Sequence, residues 1–402
     1  MQTSVSHQKL AEKFVFKKQY KNVLVGDALI KLVKFCFTEE EAEIVNALSF
    51  VPTPPFIIAR RVKRPVAEVA PILKSLADRL MIISTSIKGR DLYCFAMMVP
   101  GIYELQMLRS KNKGADIKYF TEFAKLAEEA FEEMMIWAKP KAQNKDLRFM
   151  RVIAVEKAIE QTQGILPIST DLYSEIADRN TSFCLANVCA CRQKAQLLGE
   201  GCGRGMDVCS AVGLAADMAE KWGLGRKVSK EEFIEAKMRA AELGLVNVVD
   251  NINDPVQLCS CCVCCCAGLK MIKKYNIPTG IVASHFEASI DEVKCIGCGK
   301  CAKICPMDAI STEDKTSTID YARCLGCGLC VMQCEEQHAI TLKERKDFKP
   351  PSDNFFSYLA DRRRELADED KILLPNLKLS LGSVFSKIVP IAFSGPKYKP
   401  RK

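Results

Sequence analysis

The sequence predicts an α+β fold spread over several domains, and three observations carry that expectation. The chain has 402 residues, more than one hydrophobic core usually organises. Its 48% hydrophobic and 27% charged content is that of an ordinary globular protein. Its 21 cysteines are concentrated: only Cys36 and Cys94 precede residue 184, and none follows Cys334. Structure at the start of the chain is therefore expected to rest on apolar packing, and chemistry to belong to the middle.

The N-terminal elements follow from local signals. Thr38 precedes three glutamates, so 38–50 reads as a helix with an N-cap and an acidic first turn. Prolines in VPTPP break the chain before FIIARRVKRP. Val66, Val69, Ile72, Leu73, Leu76 and Leu80 then recur at helical spacing on one face. Residues IISTSIKGRDLYCFAM predict two strands around a glycine turn. Helices followed by a hairpin resemble a winged-helix domain over residues 38–99, expected to occupy 1–110. In a DNA-binding member, Arg60, Arg61, Lys63, Arg64, Lys88 and Arg90 would meet phosphate. The alternative is a solvated face used for protein contacts. The second reading is favoured because Glu68, Lys74, Ser75 and Arg79 offer little to base edges.

Residues 111–283 are expected to be mainly α. EEAFEEMMIWA reads as packing, RVIAV as a short apolar run and GILPIS as a break. Ser229 with Glu232 forms a capping box, and Gly244 ends the helix it starts. The tail, 346–402, holds a charged helix candidate, SYLADRRRELADED. It ends in an apolar stretch with scattered lysines, expected to dock on a partner or a membrane surface.

Net charge is +9 and uneven. Residues 1–110 carry 16 basic against 10 acidic side chains, 284–342 carry 5 against 9, and 343–402 carry 14 against 8. An acidic, cysteine-rich block thus lies between basic ends. No apolar leader opens the chain and no window reaches the roughly 18 apolar residues of a membrane span. A cytoplasmic location is expected, with membrane association only through a partner. In a reducing compartment thiols are better read as metal ligands than as disulfides. Only His7, His285 and His338 could supply nitrogen ligands.

Residues 295–306 read CIGCGKCAKICP, and CLGCGLCVMQC at 324–334 repeats the spacing. This doubled C-x2-C-x2-C-x3-C array resembles the bacterial two-cluster ferredoxins, expected here over 284–345. A tight loop covers three corners of a [4Fe–4S] cube, and the fourth thiolate comes from the other run. The resemblance implies Cys295, Cys298, Cys301 and Cys334 on one cluster, and Cys324, Cys327, Cys330 and Cys305 on the second. Gly297, Gly299, Gly326 and Gly328 would let the backbone curl around sulfur. The second run departs from the pattern in two ways. Glu335 stands where proline is common, and one extra residue separates Cys334 from Ala339. Zinc fits eight such cysteines poorly.

Upstream, CACR with Cys202 and Cys209, and then CSCCVCCC at 259–266, extend the thiol content. The chain as a whole is similar to a family of ferredoxin-containing 4Fe–4S binding proteins of anaerobic bacteria and archaea. These combine a winged-helix-like start, a C-x-C-R segment, a crowded cysteine string and a dicluster module. The resemblance covers most of residues 38–342 and implies electron transfer within a larger redox system. If CSCCVCCC were helical, its neighbours would point apart, so the string alone could not enclose a cluster. A composite site is expected from Cys189, Cys191, Cys202, Cys209, Cys259, Cys262 and Cys266, holding one or two additional iron–sulfur clusters. A dithiol relay and structural zinc are its rivals. Cys36, Cys94 and Cys184 read as packing thiols.

No Walker loop, dinucleotide fingerprint or nucleophile–base arrangement occurs, and no residue presents itself as a general acid or base. The expectation is an electron carrier or oxidoreductase subunit rather than a stand-alone enzyme, with a redox partner protein or complex. The alternative is a redox-sensing winged-helix regulator that binds nucleic acid.

Overall fold

A computed structural model describes residues 4–15, 24–87, 89–138, 150–277, 281–354 and 357. The chain divides into two compact units, one of Met1–Lys141 with Ala190–Cys202 and the other of Ala142–Cys189 with Gly203–Lys402. Elements are numbered along the chain. The expected tail helix and the apolar stretch beyond it lie outside the described residues, apart from Ser357.

The first unit comprises α1 (Val5–Phe14), α2 (Asp27–Cys36), α3 (Glu39–Ala47), α4 (Pro55–Val62), α5 (Val66–Asp78), α6 (Tyr103–Arg109), α7 (Ile117–Ala138) and α10 (Ala190–Leu197). It also holds the hairpin β1 (Ile83–Ile87) and β2 (Arg90–Cys94). Thr38 caps α3 as the sequence indicates. Its hydroxyl accepts from the Glu41 N–H, and the Glu41 carboxylate accepts from the Thr38 N–H, a reciprocal cap contributing about 1 kcal/mol. Val69, Leu73 and Leu76 of α5 are fully buried against Ile44, Val45 and Ile58. Ahead of α4, Thr53 exchanges both backbone hydrogen bonds with Tyr93 at 2.9 Å, adding a one-residue strand to the hairpin.

The second unit is built on a six-stranded antiparallel sheet in the order β3-β7-β8-β5-β4-β6. Its strands are β3 (Met150–Val152), β4 (Phe183–Ala186), β5 (Ser210–Val212), β6 (Gly225–Val228), β7 (Val246–Asp250) and β8 (Gln257–Cys261). Helices still hold more of residues 111–283 than strands do, and the sheet is what the sequence reading did not name. The strands are three to five residues long, and Cys, Ser, Asn and Arg occupy many of their positions. Among them only β7, VNVVD, carries the several valines that mark a strand. CSCCVCCC is not helical. Its first three residues end β8, a turn follows, and Cys266 caps α13 (Ala267–Lys273).

The two faces of this sheet are covered differently. Ile153, Val249 and Leu258 pack with Tyr173 and Ile176 of α9 (Tyr173–Asp178) and Phe233 of α12 (Lys230–Glu242). Val152, Val246, Val248 and Cys261 join instead a core with Phe286, Cys301, Met307, Leu329 and Cys330. That second layer consists of α8 (Glu156–Glu160), α14 (Lys300–Ile304), α15 (Leu329–Met332) and two small sheets. The sheets pair β9 (Phe286–Ile290) with β12 (Ile340–Glu344), and β10 (Ile310–Glu313) with β11 (Thr316–Ile319). Strand alternation thus sends successive residues of β8 to opposite layers. α11 (Gly213–Lys221) completes the unit.

Candidate metal centre

Both C-x2-C-x2-C runs form the same local structure. Residues 295–299 and 324–328 are irregular loops, and each closes on a left-handed glycine, Gly299 or Gly328, that begins a short helix. Gly297 and Gly326 are also left-handed, at φ 64° and 66°. Space reinforces the choice at Gly326: a Cβ there would stand 1.7 Å from the Phe286 carbonyl oxygen. At Gly297 it would meet the Lys315 backbone at 2.4 Å.

Cys305, Cys324, Cys327 and Cys330 line one cavity, with Ala288, Met307 and Ile310 among its apolar walls. The fourth cysteine of the first run therefore stands with the first three of the second. Burial pushes the Cys327 thiol up to about 12 and raises Cys330 well above its ordinary value. Four thiols thus line one cavity with apolar walls. They suit a metal that takes them as thiolates. The Ala309 N–H donates to Cys305 Sγ at 3.2 Å, the kind of contact that tunes a sulfur ligand.

In the first run, Cys301 is buried in the second unit's core and its thiol contacts the Ser317 hydroxyl at 3.6 Å. Cys298 is exposed and Cys295 half-buried. Burial raises the Cys295 thiol, but hydrogen bonds from the Gly297 and Ser317 N–H groups and from the Ser317 and Thr316 side chains outweigh it. Its net shift is downward, toward thiolate. Cys334 follows α15, and its carbonyl accepts from His338 N–H at 2.9 Å.

The departures in the second run are accommodated. Glu335 receives Lys157 Nζ at 2.7 Å from α8. The extra residue lies in the turn before His338, whose N–H closes on the Cys334 carbonyl four residues back, where the Asp308 N–H closes on Cys305 three back; both turns end left-handed, at φ 44° and 49°. The loop is also fastened from outside: Val155 N–H donates to the Cys327 carbonyl at 3.0 Å.

The other cysteines divide between places. Cys209 and Cys259 stand on neighbouring strands, and the β5–β8 register, Ser210 opposite Leu258, extends to set them opposite each other. Cys259 has thiol contacts with Cys209 and Cys261, and Cys261 with Cys259 and Cys266. Cys262, Cys264 and Cys265 have sulfur atoms within 4.8 Å of one another. Of the seven residues expected at a composite site, Cys209, Cys259 and Cys266 are brought together, and Cys262 turns to the second group. Cys189 is buried in the second unit just before α10. Cys191 and Cys202 belong to the segment of the first unit, where Cys191 packs on the core. Cys36 and Cys184 are buried, and burial raises their thiols and that of Cys94.

The site expected from the sequence left out Cys261, Cys264 and Cys265. A strand pairs residues two apart, which joins Cys259 to Cys261. Also left out was Lys237, a buried ammonium on α12. Its Nζ donates to the carbonyls of Val208 (2.9 Å) and Leu258 (2.7 Å) and reaches Ser260 Oγ at 3.5 Å. Burial lowers it to about 8, opposed by the thiolates of Cys209, Cys259, Cys261 and Cys189.

Among the described residues, no helix is long and apolar enough to cross a membrane. No curated protein and no solved structure matches the chain. Residues 288–342 match the family model of the 4Fe-4S dicluster domain, so this part of the chain is an iron–sulfur domain of the ferredoxin type.

Proposed function

We propose that the protein is an iron–sulfur electron carrier that works within, or beside, a larger redox complex. The cavity shared by Cys305, Cys324, Cys327 and Cys330 supports this reading most directly, together with the dicluster match. Those four residues would hold one [4Fe–4S] cluster, and Cys295, Cys298, Cys301 and Cys334 the other. Such clusters, when bound, accept and release single electrons. The chain's own residues set the conditions. Left-handed glycines admit the close curl, Met307 and Ile310 exclude water, and the Ala309 N–H stabilises charge on Cys305. Exposed Cys298 marks the edge of the module open to a partner. The further cysteines of 189–266 would hold one or two additional clusters.

A redox-sensing regulator is the second reading. The Thr53–Tyr93 pairing supports a winged-helix-like first unit, because it ties the segment ahead of α4 to the hairpin. The chemistry of α5 favours protein contact instead. Its exposed residues include Val66, Ala67, Glu68 and Pro71, while Arg64 pairs with Glu40 and Glu68, and Lys74 with Asp78. A protein redox partner is the reading retained, in a cytoplasmic setting.

Anaerobic reconstitution with iron and sulfide tests the carrier proposal. About eight irons should bind to the dicluster domain, with one-electron signals on reduction by dithionite. Protein that binds zinc in place of iron, or iron that stays inert to reductant, overturns it.

A further inference from the structure

The structure assigns Cys209, Cys259, Cys261 and Cys266 as ligands of a further iron–sulfur centre, set against the buried ammonium of Lys237. The assignment rests on the carrier reading, and deepens it by naming which thiols form a site beyond the dicluster domain.

Strand geometry brings the four together. Cys259 and Cys261 lie two apart on β8 and so share a face. Register sets Cys209 opposite Cys259 on the adjoining strand, where facing side chains lie in contact range. Cys266 returns to the same place through the turn after β8, where its N–H donates to the Cys262 carbonyl at 3.0 Å. A chain of thiol contacts joins Cys209, Cys259, Cys261 and Cys266. The donor set is all sulfur, which selects soft, thiolate-binding metal chemistry.

The second, independent observation is Lys237. It is 1% exposed, and its Nζ is held by two carbonyls and a hydroxyl. Among the described residues no carboxylate pairs with it. A buried cation ordinarily needs an anion. Here its acceptors, Val208, Leu258 and Ser260, are the chain neighbours of Cys209 and Cys259. The ammonium approaches from the α12 layer, and the thiols face the other. Four thiolates around an iron–sulfur core carry net negative charge and would supply the missing counter-charge.

Location separates a redox centre from a structural zinc. Cys261 and Cys266 belong to the same core as Cys301 and Cys330, with Cys259, Cys305, Cys324 and Cys327 packed against it. The thiol set therefore lies on the face of the sheet that the dicluster layer covers. That is the place for a centre in electronic contact with the module.

The test uses the full chain, reconstituted anaerobically with ferrous iron and sulfide. Iron should exceed the about eight of the dicluster domain, and Cys259→Ser or Cys261→Ser should lower it by about four. The reduced dicluster signals should stay unchanged in both variants. Lys237→Met should keep the iron but move that centre to a more negative midpoint potential, because the reduced form loses its nearby cation. A merely structural lysine would leave the potential where it was. Where a cysteine variant fails to fold, alkylation of the wild-type chain substitutes. Cys209, Cys259, Cys261 and Cys266 should be protected when iron is bound and become labelled after chelation. Iron that stops at about eight, zinc in the place of the extra iron, or equal labelling with and without iron overturns the assignment. The carrier reading fails separately, when the iron of the dicluster domain stays inert to dithionite or zinc takes its place.

Discussion

Arg151 and Asp171 form a buried ion pair, Nη1 to Oδ1 at 2.7 Å, with both side chains at most 1% exposed. The pair belongs to a network. Arg151 also donates to the Thr170 carbonyl at 2.9 Å, and Asp171 accepts from the Ile168 N–H and contacts His285 Nδ1. His285 stacks between Phe286 and Phe348 just ahead of β9. The network thus joins the edge strand β3 to the strand that opens the dicluster layer.

Removing one partner of this pair should be far costlier than removing both. Arg151→Met leaves the Asp171 carboxylate buried without its cation, a loss of about 3–5 kcal/mol. Asp171→Leu strands the guanidinium, whose pKa burial already lowers despite Asp171. The double variant Arg151→Met with Asp171→Leu should recover much of either loss. Anaerobic denaturant titration of the three variants closes the cycle; additive losses would contradict it.

Glycine substitutions should separate strain from collision. Gly326→Ala combines a left-handed φ of 66° with a Cβ driven into the Phe286 backbone, so β9 or the loop must move. Its iron content should fall by about four, the share of one cluster. Gly299 has an equally left-handed φ of 71°, but the nearest atom to a Cβ is Thr312 Oγ1 at 3.9 Å. Gly299→Ala should cost only about 1–2 kcal/mol and keep its iron. Iron analysis with thermal melts of both variants decides the matter.

Legibility in the sequence followed how local each determinant is. The Thr38 and Ser229 caps, the hairpin after α5 and the doubled cysteine loops are written within a few residues, and all are present. The middle sheet is not local. Its strands pair across long separations, such as Met150 with Asp250, and Cys and Ser fill positions where Val or Ile would have signalled a strand. A helical CSCCVCCC would put Cys262 with Cys266 on one face, whereas β8 puts Cys259 with Cys261. Lys237 left no signal, since one lysine among the many charges of α12 looks solvated until Val208 and Leu258 are brought to it.

The first unit should not retain duplex DNA in a salt-dependent manner. Arg61 donates to the Ala47 carbonyl, Arg64 is held by two glutamates, and Arg79 pairs with Glu41. These three side chains are already engaged, and log–log affinity against salt should show no steep negative slope. Arg64→Ala should leave the thermal midpoint of the chain nearly unchanged, because its ion pairs are solvent-screened. Retention that falls steeply with salt, and falls again in Arg60→Ala with Lys63→Ala, would restore the regulator reading.

Asp250 gives the second unit a stability that falls as pH rises. Its carboxylate accepts from the Val256 and Gln257 N–H groups, both at 2.9 Å, yet burial outweighs them and raises the pKa to about 6. The folded chain then holds a proton that the unfolded chain, titrating near 4, has released. Stability from this group is present below the unfolded value and is lost as pH climbs through about 6. Asp250→Asn keeps an oxygen for the two N–H groups and removes the charge. Between pH 5 and 7 the wild-type chain should lose about 1–2 kcal/mol relative to this variant, and no more above pH 7. Denaturant midpoints of the two proteins across that range supply the comparison. Parallel curves would show that Asp250 is solvated enough to ionise without cost.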